Sequence, residues 1–129
     1  MAGNVTADLL HALIDNMGGP SVDRKGWESL AFILEFPDGE FNSAHGFLYS
    51  PGGVISAVAS DPWAVRPAVK AYTDSYYQPG EALPRKALVQ LNRTTGQYNV
   101  TFEETDEARW KVTPRNFEQL REELRPKFY

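Results

Sequence analysis

Two turn signals, Pro37-Asp38-Gly39 and Pro51-Gly52-Gly53, cut residues 27–60 into three segments with alternating side chains. In the first, WESLAFILEF, one parity carries Leu30, Phe32, Leu34 and Phe36, and the other carries Ser29, Ala31, Ile33 and Glu35. A period of two over this length specifies a β-strand with one fully apolar face. The next segment, FNSAHGFLYS, places Phe41, His45, Phe47 and Tyr49 in one parity, and VISAVAS follows the second turn. Proline and glycine at both junctions supply the backbone angles of tight reversals, so the three segments read as an antiparallel meander. This block constrains the fold more than any other part of the chain.

Helical signals flank it. Leu9, Leu10, Leu13, Ile14 and Met17 recur at i, i+1, i+4, i+5 and i+8, which predicts a helix over Val5–Met17. Asn4 or Thr6 can cap its start, and Gly18-Gly19-Pro20 stops it before the linker Ser21–Gly26. Asp61-Pro62 opens a second helix, with Val65, Val69, Tyr72 and Tyr76 as its buried stripe and an end near Gln78. Pro67 inside it implies an irregular first turn or a kink. A second hairpin comes next. KALVQLNR turns at Thr94-Thr95-Gly96-Gln97 and returns as YNVTF, with Tyr98, Val100 and Phe102 inward and Leu88 as an exception to the alternation. Thr113-Pro114 opens a last helix, Arg115 to about Leu124, striped by Phe117, Leu120 and Leu124.

The expected fold is therefore α+β, a single domain over residues 1–129. It has an antiparallel sheet of about five strands, helices packed mainly on one side, and the order α-βββ-α-ββ-α. The other face of the sheet, with Ser29, Ala44, Gln90, Asn99 and Thr101, reads as more polar. Trp27, Trp63 and Trp110 are expected to pack structurally.

Composition narrows the chemistry. The absence of cysteine removes disulfides, zinc–thiolate sites and thiol nucleophiles. His11 and His45 are far apart, His11 reads as a surface residue, and the 12-residue calcium-loop pattern is missing, so no metal or cofactor is expected. There is no nucleophile elbow and no phosphate loop. Glu103 and Glu104 are neighbours at a strand end and point to opposite faces, which weakens a paired-carboxylate mechanism. The chain reads as a non-enzymatic binding protein. A small enzyme or small-molecule-binding domain using the His45 face is the alternative, and an adaptor domain is a third option. No apolar run reaches membrane-spanning length and the N-terminus lacks a basic signal region, so a cytoplasmic protein is expected.

Net charge is −4, unevenly distributed. Between Gly26 and Val65 there is no lysine or arginine, while Glu28, Glu35, Asp38, Glu40 and Asp61 stand there. A second acid cluster, Glu103, Glu104, Asp106 and Glu107, sits between the last strand and the last helix. Direct nucleic-acid binding needs a positive patch and is not expected, whereas acidic ridges suit a basic protein partner. Glu35, Asp38, Glu40, Glu103, Glu104, Asp106 and Glu107 are the candidate partner-binding residues.

The segment GQYNVTFEE, a short acidic break, and ARWKVTP leading into NFEQLREELRP together resemble the C-terminal part of the YezG-like immunity proteins of bacterial polymorphic toxin and contact-dependent inhibition systems. The apolar strand, the Tyr-Ser-Pro-Gly-Gly turn and the helix ending in Tyr-Tyr match the same layout, over about two-thirds of the chain. The resemblance implies a cytoplasmic, non-enzymatic protein that binds and neutralises a cognate toxin domain, often a nuclease.

Overall fold

In a computed structural model, residues 4–18, 26–106 and 108–126 are described. The protein is α+β, with six antiparallel strands and three α-helices among the described residues. Helix α1 (Val5–Asp15) begins where the Asn4 side chain accepts hydrogen bonds from the Thr6 and Ala7 amides. It ends two residues earlier than its apolar stripe suggested. Met17–Gly18 (β1) pairs with Ser60 and Ala59, and Ser60 Oγ donates to the Leu13 carbonyl at 2.6 Å. Sheet pairing has taken over from helical periodicity at Met17. Of the predicted stop Gly18-Gly19-Pro20, Gly18 lies in β1, while Gly19, Pro20 and all of the linker but Gly26 lie outside the described residues.

The meander forms as expected from β2 (Ser29–Glu35), β3 (Ser43–Tyr49) and β4 (Ile55–Ser60). Residues Pro37–Gly39 make one 3-10 turn between the first two strands. Helix α2 (Pro62–Asp74) then carries the chain across the sheet, capped by Asp61 and containing Pro67. It delivers β5 (Lys86–Asn92) to the free side of β2, and β6 (Tyr98–Glu103) follows as a hairpin. The strand order is β1-β4-β3-β2-β5-β6, so β2 is central and β6 is the long edge strand.

Both faces of the sheet are buried. On the first, Leu30, Phe32 and Leu34 of β2 pack with Leu9 and Leu13 of α1 and Val65 and Val69 of α2. On the second, Ala31, Ile33, Phe47, Tyr49 and Leu88 form a smaller core covered by Leu120 and Leu124 of α3 (Phe117–Glu123). Two helices thus sit on one face and one on the other. This second core accounts for Leu88, the exception to the alternation, which meets Ile33 in register. Ala44, expected on the polar face, lies in the first core. Helix α3 is pinned by Tyr49 Oη donating to the Arg121 carbonyl at 2.6 Å and Gln90 Nε2 donating to the Leu124 carbonyl at 2.9 Å. Its lead-in is a reciprocal pair: the Thr113 amide donates to Asn116 Oδ1, and the Asn116 amide donates to Thr113 Oγ1. The α-helix itself therefore starts a turn later than the Thr113-Pro114 signal suggested.

Gly46 of β3 is required by close packing. A Cβ there would lie 1.8 Å from the Ala31 carbonyl oxygen. Of the tryptophans, Trp27 is fully buried and Trp110 packs against the second core, but Trp63 is 78% exposed, against the expectation of structural packing. No helix among the described residues is long and apolar enough to cross a membrane.

Candidate functional site

Strand register determines which charged residues meet. Glu35 ends β2, Lys86 begins β5 and Glu103 ends β6, and the pairings Glu35↔Lys86 and Lys86↔Glu103 put them in one row across the second face. Ser43 of β3 continues the row beyond Glu35. Two acid groups distant in sequence, residues 35–40 and 103–106, consequently share one end of the sheet. Glu35 and Glu103 are two strand spacings apart, about 10 Å, with the lysine between them.

The two carboxylates are occupied differently. Glu35 Oε1 accepts from Ser43 Oγ at 2.7 Å and lies 3.1 Å from His45 Nε2, while Oε2 lies 3.5 Å from Lys86 Nζ. Burial raises its pKa, but the Ser43 hydrogen bond and the neighbouring His45 and Lys86 outweigh that, leaving it below the ordinary value. An ionised carboxylate can only accept, so His45 Nε2 carries the hydrogen. The serine proton is directed to the carboxylate, not to the imidazole, so His45 is not placed as a base for Ser43.

Glu103 accepts from Arg109 Nη1 at 2.8 Å and from the Thr105 and Asp106 amides at 3.2 Å. Those bonds, the Arg109 one first, lower its pKa to about 2. Glu103 thus acts as the anchor of the acidic connection, folding residues 104–106 around its own carboxylate. Asp106 Oδ1 in turn accepts from the Ala108 amide at 2.9 Å. Arg109 also stacks 4.4 Å over the Trp110 ring, and Trp110 holds a left-handed backbone with φ of 60°.

Of the remaining predicted residues, Glu104 and Asp106 are exposed at the β6 edge, and Glu40 is exposed beside the 3-10 turn. Asp38 contributes its backbone to that turn. Glu107 lies outside the described residues.

Sequence reasoning undervalued two features here. One is aromatic: Tyr72, Tyr76, Tyr77 and Phe102 have ring centroids 5.0–6.1 Å apart beside β6. Tyr76 and Tyr98 are 58% and 51% exposed, although Tyr76 was expected on a buried stripe and Tyr98 inward. Tyr77 Oη donates to Glu104 Oε1 at 3.3 Å, and burial together with that carboxylate raises its pKa to about 12. The other is a cleft of about 610 Å³ lined by Glu35, Phe36, Asn42, Arg85, Lys86 and Lys111, among others. Lys86 could be placed in it only once the β2–β5 register was known.

No protein-family model, curated protein or solved structure matches this chain.

Proposed function

We propose that this protein is an immunity protein that binds a cognate toxin domain, a basic nuclease, and neutralises it by protein–protein contact without catalysis of its own. The supporting observation is the β6 edge. Among the described residues the outer edge of β6 has no paired strand, and it lies beside two exposed tyrosines and the exposed carboxylates of Glu104 and Asp106. Tyrosine is enriched at the centres of protein interfaces because it adds large contact area at low rotamer cost, and an open edge can accept main-chain hydrogen bonds. Acidic side chains around such a patch raise the encounter rate with a cationic partner. A nuclease domain needs a cationic surface to hold its own substrate.

Of the seven candidate acids, Glu40, Glu104 and Asp106 are exposed, Glu35 and Glu103 are engaged internally, Asp38 lends its backbone to the 3-10 turn, and Glu107 lies outside the described residues.

The test is capture on the tagged protein at low and high salt from its source cells, followed by expression of any recovered domain. Support requires one basic domain in near-stoichiometric amount that arrests growth alone and is silenced by co-expression of this protein. A captured domain that is harmless, or one not silenced, rejects the proposal.

A further inference from the structure

A cleft of about 610 Å³ lies at the Glu35 end of the sheet. Its floor is Lys86, only 4% exposed although it carries an ammonium group. Lysine is rarely buried this deeply unless it is paired, because removing an ammonium from water costs several kcal/mol.

Here the pairing is incomplete. The ammonium has three N–H donors. Its ion-pair contact with Glu35 is 3.5 Å long, beyond ordinary hydrogen-bond length. Of the two carboxylates flanking it in the row, Glu35 offers it only Oε2 at that distance, and Glu103 is paired with Arg109 instead. Glu35 Oε1 takes Ser43 and His45, and Glu103 takes Arg109 and two backbone amides. Lys86 therefore presents donor capacity to the space in front of it.

That space is lined by further donors. Lys111, exposed on the β6–α3 connection, and Asn42, from the β2–β3 connection, both border it. Phe36, Pro37 and Ala108 supply an apolar wall. The volume, about 610 Å³, is that of a small-molecule site. Among the described residues, the depression brings the ammonium groups of Lys86 and Lys111 to the one side of the Glu35 carboxylate.

We infer that this cleft binds a small organic oxyanion, its carboxylate or phosphate head on Lys86 and Lys111 and its body against Phe36, Pro37 and Ala108. A charged head completes the donors of the buried ammonium, and a compact apolar body fills the remainder. The site stands independently of the partner-binding proposal, since it uses none of the exposed residues at the β6 edge.

The experiment is a titration of the ¹⁵N-labelled full-length protein, followed by amide chemical shifts. Phenyl phosphate and benzoate are the two probes, with sodium chloride at matched ionic strength as the control. Saturable shifts centred on Asn42, Lys86 and Lys111 are expected with at least one probe, and the tighter of the two names the head group. Lys86→Met should weaken that binding by at least about tenfold. Lys111→Gln, at an exposed position where folding is not at stake, should weaken it by about threefold. Shifts that never saturate, or that sodium chloride reproduces, overturn the assignment, as does an unchanged affinity in Lys111→Gln.

Discussion

Lys86 and Glu35 should respond unequally to removal, and the asymmetry follows from how each is held. Replacing Glu35 by leucine takes the acceptor from three donors at once: Ser43 Oγ, His45 Nε2 and Lys86 Nζ. The first two are only partly buried and can be hydrated, but the lysine is 4% exposed and loses its ion pair. Breaking a buried pair from one side ordinarily costs about 3–5 kcal/mol; the partial exposure of Glu35 and the long contact reduce that here to about 2–4 kcal/mol. Lys86→Met removes the costly ammonium and leaves Glu35 bonded to Ser43 and His45. The expected cost is about 0–1 kcal/mol, because relief of desolvation offsets the lost pair. The double variant should recover most of the loss, giving a coupling of about 2 kcal/mol. Urea unfolding at pH 7, followed through tryptophan fluorescence, measures all three with m-values held as a check on two-state behaviour. A Lys86→Met cost equal to that of Glu35→Leu, or a coupling near zero, would refute the reasoning.

Other consequences are independent of that pair. Glu35 and Glu103 are both held below ordinary carboxylate values, Glu103 at about 2. Their stabilisation is complete above the unfolded-state value near ~4.3 and is lost as pH falls through the folded values, so the unfolding midpoint should drop between about pH 5 and 2 and drop less steeply in Glu103→Gln. Gly46→Ala forces β3 away from the Ala31 carbonyl, with overpacking and a lost ladder bond together costing about 2–4 kcal/mol, or roughly 7–15 °C in melting temperature for a domain of this size. A melting temperature within a degree or two of the parent protein would show that the strands separate freely there. Trp63→Ala should change stability by no more than about 1 kcal/mol, since only an Arg66 stacking contact is lost, while Trp27→Ala should cost about 3–5 kcal/mol; similar values for the two would contradict the burial pattern.

Much of this architecture was legible because period and punctuation agreed. The turns at residues 37–39, 51–53 and 94–97, the caps Asn4 and Asp61, and the stripe through Leu9 and Leu13 are local features, readable one segment at a time. What escaped was non-local. Leu88 looked like an exception to the alternation until register placed it against Ile33 beneath α3. Met17 continued a helical stripe, but pairing with Ser60 drew it into the sheet. Tyr76 matched the period of α2, yet the helix stops at Asp74 and leaves the ring outside.

The candidate site divides in the same way. The acid cluster at 103–106 was visible as composition. That Glu103 is spent organising its own loop depends on Arg109 folding back onto it, which spacing alone does not reveal. The cationic cleft had no sequence signature at all, because Arg85, Lys86 and Lys111 come together only when β5 and the β6–α3 connection meet the end of β2.

The proposed neutralising contact at the β6 edge is tested most directly by affinity for the captured toxin domain. The protein would be compared with a Tyr76→Ala/Tyr98→Ala/Glu104→Gln variant across a range of salt. We expect the variant to remain folded, to bind at least about 100-fold more weakly, and to show a shallower salt dependence. Equal affinity and equal salt dependence would place the interface elsewhere on the molecule and contradict the proposal.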